Sequence, residues 1–204
     1  MELRAEAVER PQVTTIREAW NIFVDVLNGP AHERALYLYM VLVLAHWAEH
    51  LFQAYQIFVL HWPRPEALGL LGLWLPWLVQ TETLHWGYAF FMLLGLFLLR
   101  PGFQGRSRLF WNISLVIQIW HFIEHTLLQG QAIVGQYLFG SKVPISIVQL
   151  WVPRPELHLI YNGLVFIPMV IAMYYHLYPP QSEAPVACTC SRRSPLHAKQ
   201  AKPA

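Results

Sequence analysis

Residues 34–60 read RALYLYMVLVLAHWAEHLFQAYQIFVL, and this stretch decides the fold. It is long enough to cross a bilayer, which takes about 20 mostly apolar residues. Yet it carries one carboxylate, Glu49, between His46 and His50, with no basic residue nearer than Arg34 at its edge. An apolar helix with such a group inside needs other helices around it. Three further stretches have comparable length and character: residues 81–99, 109–134 and 156–178. The chain is 55% hydrophobic and 13% charged, too apolar for an ordinary soluble domain. The expected fold is an all-α, polytopic membrane protein with a four-transmembrane-helix bundle. The net charge of +2 gives no reason to expect nucleic acid as a partner.

Shorter segments fill in around the spans. Residues 68–79, LGLLGLWLPWLV, contain Pro76 and are too short to cross, so they read as interfacial or re-entrant. Residues 136–151 are a similar intermediate stretch. Ahead of the first span, Ile16, Trp20, Phe23, Val24 and Leu27 share one helical face. That spacing suits an amphipathic helix lying in the membrane surface or packed on the bundle, ended at Asn28-Gly29-Pro30. The chain therefore divides into an N-terminal arm (1–33), a membrane domain (34–178) and a tail (179–204) whose composition is that of a disordered segment. The opening MELRAEAVER is acidic and polar and does not read as a cleavable signal peptide.

Basic residues orient the spans. Arg4, Arg10, Arg17 and Arg34, then Arg100, Arg106 and Arg108, then Arg192, Arg193, Lys199 and Lys202 fall on one side. Only Arg64, Lys142 and Arg154 fall on the other. The crowded side is expected to be cytoplasmic, with both termini inside.

The motif of the first span recurs. HWAEH at 46–50 returns as HFIEH at 121–125, and HWGY at 85–88 returns as HLIY at 158–161. Gln56 likewise returns as Gln131. The unit is His-x-x-Glu-His on one helix and His-x-x-Tyr on the next, present twice. Repeat one covers 34–99 and repeat two covers 109–178. Both run the same way through the membrane, which implies a pseudo-twofold axis along the membrane normal.

The chemistry follows from placement and charge. Positions i, i+3 and i+4 of a helix cover an arc of about 100°. His46, Glu49 and His50 therefore share a face, as do His121, Glu124 and His125. His85 and His158 can join them from the neighbouring helices. A charged carboxylate at mid-bilayer costs about 2.5–3.5 kcal/mol on the lenient insertion scale. Bound cations, with His46, Glu49, His50, His85, His121, Glu124, His125 and His158 as ligands, would account for Glu49 and Glu124 without basic partners. The bland alternative is a polar network that glues the helices together.

Glu49, Glu124, Tyr88 and Tyr161 are the candidate catalytic residues. His-x-x-Glu-His also occurs in inverted zinc-peptidase signatures, where Glu is the general base. Gln53, Ser114 and Gln118 share the ligand faces and could support the ligands, although ordinary helix contacts would also place them there. Glu82 and Glu156 could orient the single histidines or simply be solvated at helix starts. Cys188-Thr-Cys190 could bind a soft metal or carry a lipid, but reads as part of an unremarkable tail, and His32, His61 and His176 need no special role.

The reading that best covers these features is a metal-dependent membrane oxidoreductase with two metal ions. Iron is favoured over zinc, copper or manganese, with an apolar substrate reached through the bilayer and a separate electron donor. Alternatives are a haem-binding electron carrier, a zinc-dependent hydrolase, and a metal transporter or sensor.

Overall fold

The computed structural model describes residues 15–184 together with 188, 190 and 191, so most of the tail lies outside the described residues. The described residues are all-helical. α1 (Ile16–Asn28) is followed by α2 (His32–Phe58), the one-turn α3 (Pro76–Val79), α4 (Glu82–Leu99), α5 (Gly105–Val134) and α6 (Arg154–Leu177). Single 3₁₀ turns lie at Leu71–Leu73, Arg100–Gly102, Leu138–Gly140 and Val148–Leu150. The four long helices pack α2 on α4, α4 on α5, α5 on α6 and α6 back on α2, closing a ring.

Among the described residues, three helical segments are long and apolar enough to cross a membrane: His32–Phe58, Glu82–Gly102 and Arg154–Leu177. α5 is the longest helix but falls short on average hydropathy, and its two faces show why. Ser114, Gln118, His121, Glu124, His125 and Gln131 are all buried, while Ile113, Val116, Ile119, Ile123 and Ile133 are exposed. Averaging along the sequence mixes an inward polar stripe with an outward apolar one. The same inversion marks the other long helices, where Leu38, Phe97 and Ile167 face outward. Apolar exteriors on this scale mark a surface that is covered by something other than water.

At one end of the ring an apolar core joins Leu36, Tyr39, Val43, Met92, Leu96, Phe103, Trp111 and Met169. Met40 packs against the same core, so neither Met40 nor Met92 brings sulfur to the histidines. α1 begins at a capping box in which Thr15 and Glu18 exchange hydrogen bonds. Its far end is pinned by Asn28, which donates to the Leu98 carbonyl and accepts from Gly102 N–H. Leu27 reaches the core while Ile16, Trp20 and Phe23 remain exposed. The helix is thus docked at its end and apolar along its free face.

The connectors at the opposite end, residues 59–81 and 135–153, fold back over the ring and are tied down by side chains from α2 and α5. Gln56, fully buried, donates to the Gly69 carbonyl and accepts from Gly69 N–H at 2.8 Å. Gln131 makes the corresponding pair with Ile145 and also accepts from Leu138 N–H. In the 68–79 stretch, Trp74 and Trp77 are exposed, so this stretch lies on the surface as two short turns.

Candidate metal centre

The six histidines singled out by the repeat meet. His46 Nε2 lies 3.3 Å from His50 Nε2, and His125 Nε2 lies 3.3 Å from His158 Nε2. His50 stacks on His158 with ring centroids 5.5 Å apart, and His85 packs against both His125 and His158. His121 closes the cluster against His125 and His158. Two imidazole nitrogens bound to one cation at about 2.0–2.1 Å in tetrahedral geometry stand about 3.3 Å apart, so both close pairs already have ligand spacing. The close pairs differ in kind. One lies within α2, whereas the other bridges α5 and α6.

The backbone orients two of the rings. His85 Nδ1 meets the Thr81 carbonyl at 3.0 Å and His158 Nδ1 meets the Arg154 carbonyl at 2.8 Å. A carbonyl only accepts, so each Nδ1 carries the proton and each Nε2 offers its lone pair to the cluster. The two helix-start glutamates therefore do not orient these rings. Glu82 pairs with Arg154, and Glu156 pairs with Arg64. The ion pair raises the Arg64 guanidinium above its ordinary value.

Glu49 and Glu124 have a task that the sequence did not reveal. Glu49 accepts the Leu71 N–H at 2.9 Å, and Glu124 accepts the Val148 N–H at 3.0 Å. Each carboxylate so holds the first residue of a 3₁₀ turn in the connector above it. Gly69 lies directly against Glu49: a Cβ there would stand 2.4 Å from Oε2, and its φ of +77° already favours glycine.

Each repeat also lines a cavity of its own. A space of about 50 Å³ is bordered by His46, Glu49, His50, His85 and Tyr88. A second, of about 10 Å³, is bordered by His121, Glu124, His125, His158 and Tyr161. One water needs roughly 10–15 Å³, so the first has room for an ion with a few waters and the second for a single ion or water. Tyr88 stacks on His46, and Tyr161 leans on His121 while accepting a hydrogen bond from Trp120 Nε1 at 2.8 Å.

Among the supporting residues, Ser114 and Gln118 prove to be interhelical contacts, donating to the carbonyls of Val165 and Ala89. Gln53 donates to the Ala67 carbonyl at 2.6 Å, tying down the connector beside the repeat-one cavity that it also borders. Asn162, to which the sequence pattern gives no role, donates to the His158 carbonyl one turn back on α6 at 2.8 Å. Its counterpart in repeat one is Ala89, so it stands outside the repeated pattern.

A larger cavity of about 530 Å³ opens between the connectors and reaches His50, His85 and His158 past Arg64, Glu82 and Arg154. On the flank of the ring, an apolar groove of about 420 Å³ runs over Leu42, Leu84, Gly87, Tyr88 and Phe91.

At the other end of the bundle lies a group the sequence reading left without a role. The ligand atoms of His32, His176, Cys188 and Cys190 all lie within 4.8 Å of one another, close enough to hold one metal ion. The cysteines are not disulfide-bonded; the Cys190 thiol donates to Cys188 Sγ, which holds Cys188 well below the usual thiol range. No protein family, curated protein or solved structure matches this chain.

Proposed function

We propose that this chain is an integral membrane metalloprotein whose four long helices all cross the bilayer, with both termini in the cytoplasm. In this reading two parallel two-helix units each hold one metal ion, and the protein is an oxidoreductase for an apolar, lipid-like substrate. The observation that carries the proposal is the pair of small cavities, each bordered by three histidines, one glutamate and one tyrosine of its own repeat.

The residues suit such ions. His46, His50 and His85 would hold one, and His121, His125 and His158 the other. Glu49 and Glu124 each border the same cavity, and a carboxylate has about four lone-pair directions, so a connector N–H does not exhaust it. Nitrogen and oxygen donors without thioether or thiolate favour iron, manganese, zinc or copper(II). Iron would supply electron transfer between the substrate and an external donor. What the chain itself does is fix the tautomers of His85 and His158 and present Tyr88 at the boundary between centre and lipid.

The two approaches fit two partners. The apolar groove shares Leu84 and Tyr88 with the repeat-one cavity, offering a lipid-soluble molecule a lateral route. The polar opening past Arg64 and Arg154 suits water, protons or a soluble electron donor. A bis-histidine haem would have to enter the opening of about 530 Å³, which reaches His50, His85 and His158 but leaves His46, His121 and His125 unused.

Elemental analysis of detergent-purified protein tests the proposal, read on a Cys188→Ser/Cys190→Ser variant so that only the histidine centre is counted. Two equivalents of a redox metal per chain are expected. A preparation without stoichiometric iron, manganese, copper or zinc would sink it, and zinc alone would redirect it to hydrolysis.

A further inference from the structure

We propose that His32, His176, Cys188 and Cys190 form a closed zinc(II) site that staples the C-terminal segment onto the cytoplasmic end of the bundle. The site is separate from the histidine centre and does not depend on it. It joins three parts of the chain: the first residue of α2, the last turn of α6, and a Cys-x-Cys pair beyond it.

Three observations converge on it. First, the donor set is two imidazoles and two thiols within one ligand sphere. Four protein ligands of this kind suit tetrahedral zinc and leave no open position, which is the pattern of a structural site.

Second, His32 is 1% exposed, yet neither of its ring nitrogens has a hydrogen-bond partner of acceptable geometry. The Leu27 carbonyl approaches without closing a bond. A buried imidazole with nothing to bind is costly, and a cation would engage one of the two nitrogens.

Third, the ring is fixed in place by its surroundings. Gly102 lies so close that a Cβ would stand 2.3 Å from His32 Cε1. Phe103 packs against both imidazoles, at 5.9 Å from His32 and 4.5 Å from His176.

The existing contacts show how the site would load. His176 Nε2 and Cys190 Sγ are 3.0 Å apart, and the two sulfurs are 2.7 Å apart. Zinc ligands at tetrahedral angles stand about 3.3–3.8 Å apart. Loading therefore separates the sulfurs by about 1 Å, replaces a thiol hydrogen bond with two metal–sulfur bonds, and releases the proton of the donating Cys190 thiol. With the tail in the cytoplasm the thiols remain reduced and available.

Cobalt(II) titration of the full chain is the test, because thiolate-to-cobalt charge transfer is visible and the histidine centre has no thiolate. The expected result is a charge-transfer band that saturates at one equivalent and is displaced by zinc. It should be abolished in Cys188→Ser/Cys190→Ser and retained in His46→Ala/His121→Ala. Zinc should also protect both thiols from alkylation until a chelator is added. Wild-type protein without the band, a band surviving in the double cysteine variant, or thiols alkylated equally with and without zinc would each overturn the assignment. If the band is present but the histidine variants have unchanged metal content, the staple stands and the histidine centre falls.

Discussion

Gln56 shows how one side chain can secure a connector. Its amide donates to and accepts from Gly69, so it replaces a stretch of backbone pairing inside the bundle. Gln56→Leu would leave the Gly69 N–H and carbonyl buried without partners, at a cost of about 1–3 kcal/mol for each group. The expected outcome is a lower melting temperature in detergent, with weaker metal retention in repeat one than in repeat two. Gly69→Ala should act on the same loop through Glu49, whose carboxylate occupies the space a Cβ needs. An alanine variant that melts with the wild type would mean that Glu49 is free to move. Gln56, Gln131, Glu49 and Glu124 were all legible as repeated positions. Their tasks were not, because their partners are backbone groups of connectors without a recognisable pattern. The histidines were legible because helical periodicity alone puts them on one face.

At the scale of elements, two ion pairs gather where α4 and α6 begin. Arg154 pairs with Glu82, whose side chain is only 9% exposed, while Arg64 of the other ion pair is far more open. Arg154→Ala leaves a nearly buried carboxylate without its partner and should lower the melting temperature clearly. Arg64→Ala should change it little, since exposed pairs contribute about 0–1 kcal/mol. Equal effects of the two variants would show that burial does not decide the matter here. The boundaries of α2, α4 and α6 were readable to within a turn because their apolar runs are nearly unbroken. α5 was expected from the same kind of run, although its average hydropathy is reduced by the stripe it turns inward. If α5 crosses the bilayer, single cysteines at Gln104 and Leu138, in a background lacking Cys188 and Cys190, should be labelled from opposite sides of a vesicle by an impermeant maleimide. Labelling from one side only would remove α5 from the membrane. The tail pair Cys188 and Cys190 was not legible at this scale, since only the folded chain brings it to His32 and His176.

Across the whole molecule the two repeats are alike in the histidines, glutamate and tyrosine that line their cavities and unlike in access. The repeat-one cavity is the roomier, at about 50 Å³ against about 10 Å³, and only it shares lining residues with the apolar groove. One pair of residues differs in bulk at the position that lines the groove in repeat one. Gly87 lies between His85 and Tyr88 with nothing within 4 Å of where a Cβ would be, and its counterpart in repeat two is Ile160. The repeat-two residue thus supplies the bulk that the repeat-one residue omits. Gly87→Ile should fill the groove without touching any histidine, and replacing glycine inside α4 should not weaken the helix. Metal content is therefore expected to remain at two equivalents. The rate at which an apolar chelator strips the repeat-one ion should fall several-fold, while a charged chelator entering past Arg64 and Arg154 should be unaffected. Unchanged stripping by the apolar chelator would mean that lipid-soluble molecules do not reach the centre through this groove, and the proposed substrate route would fail with it.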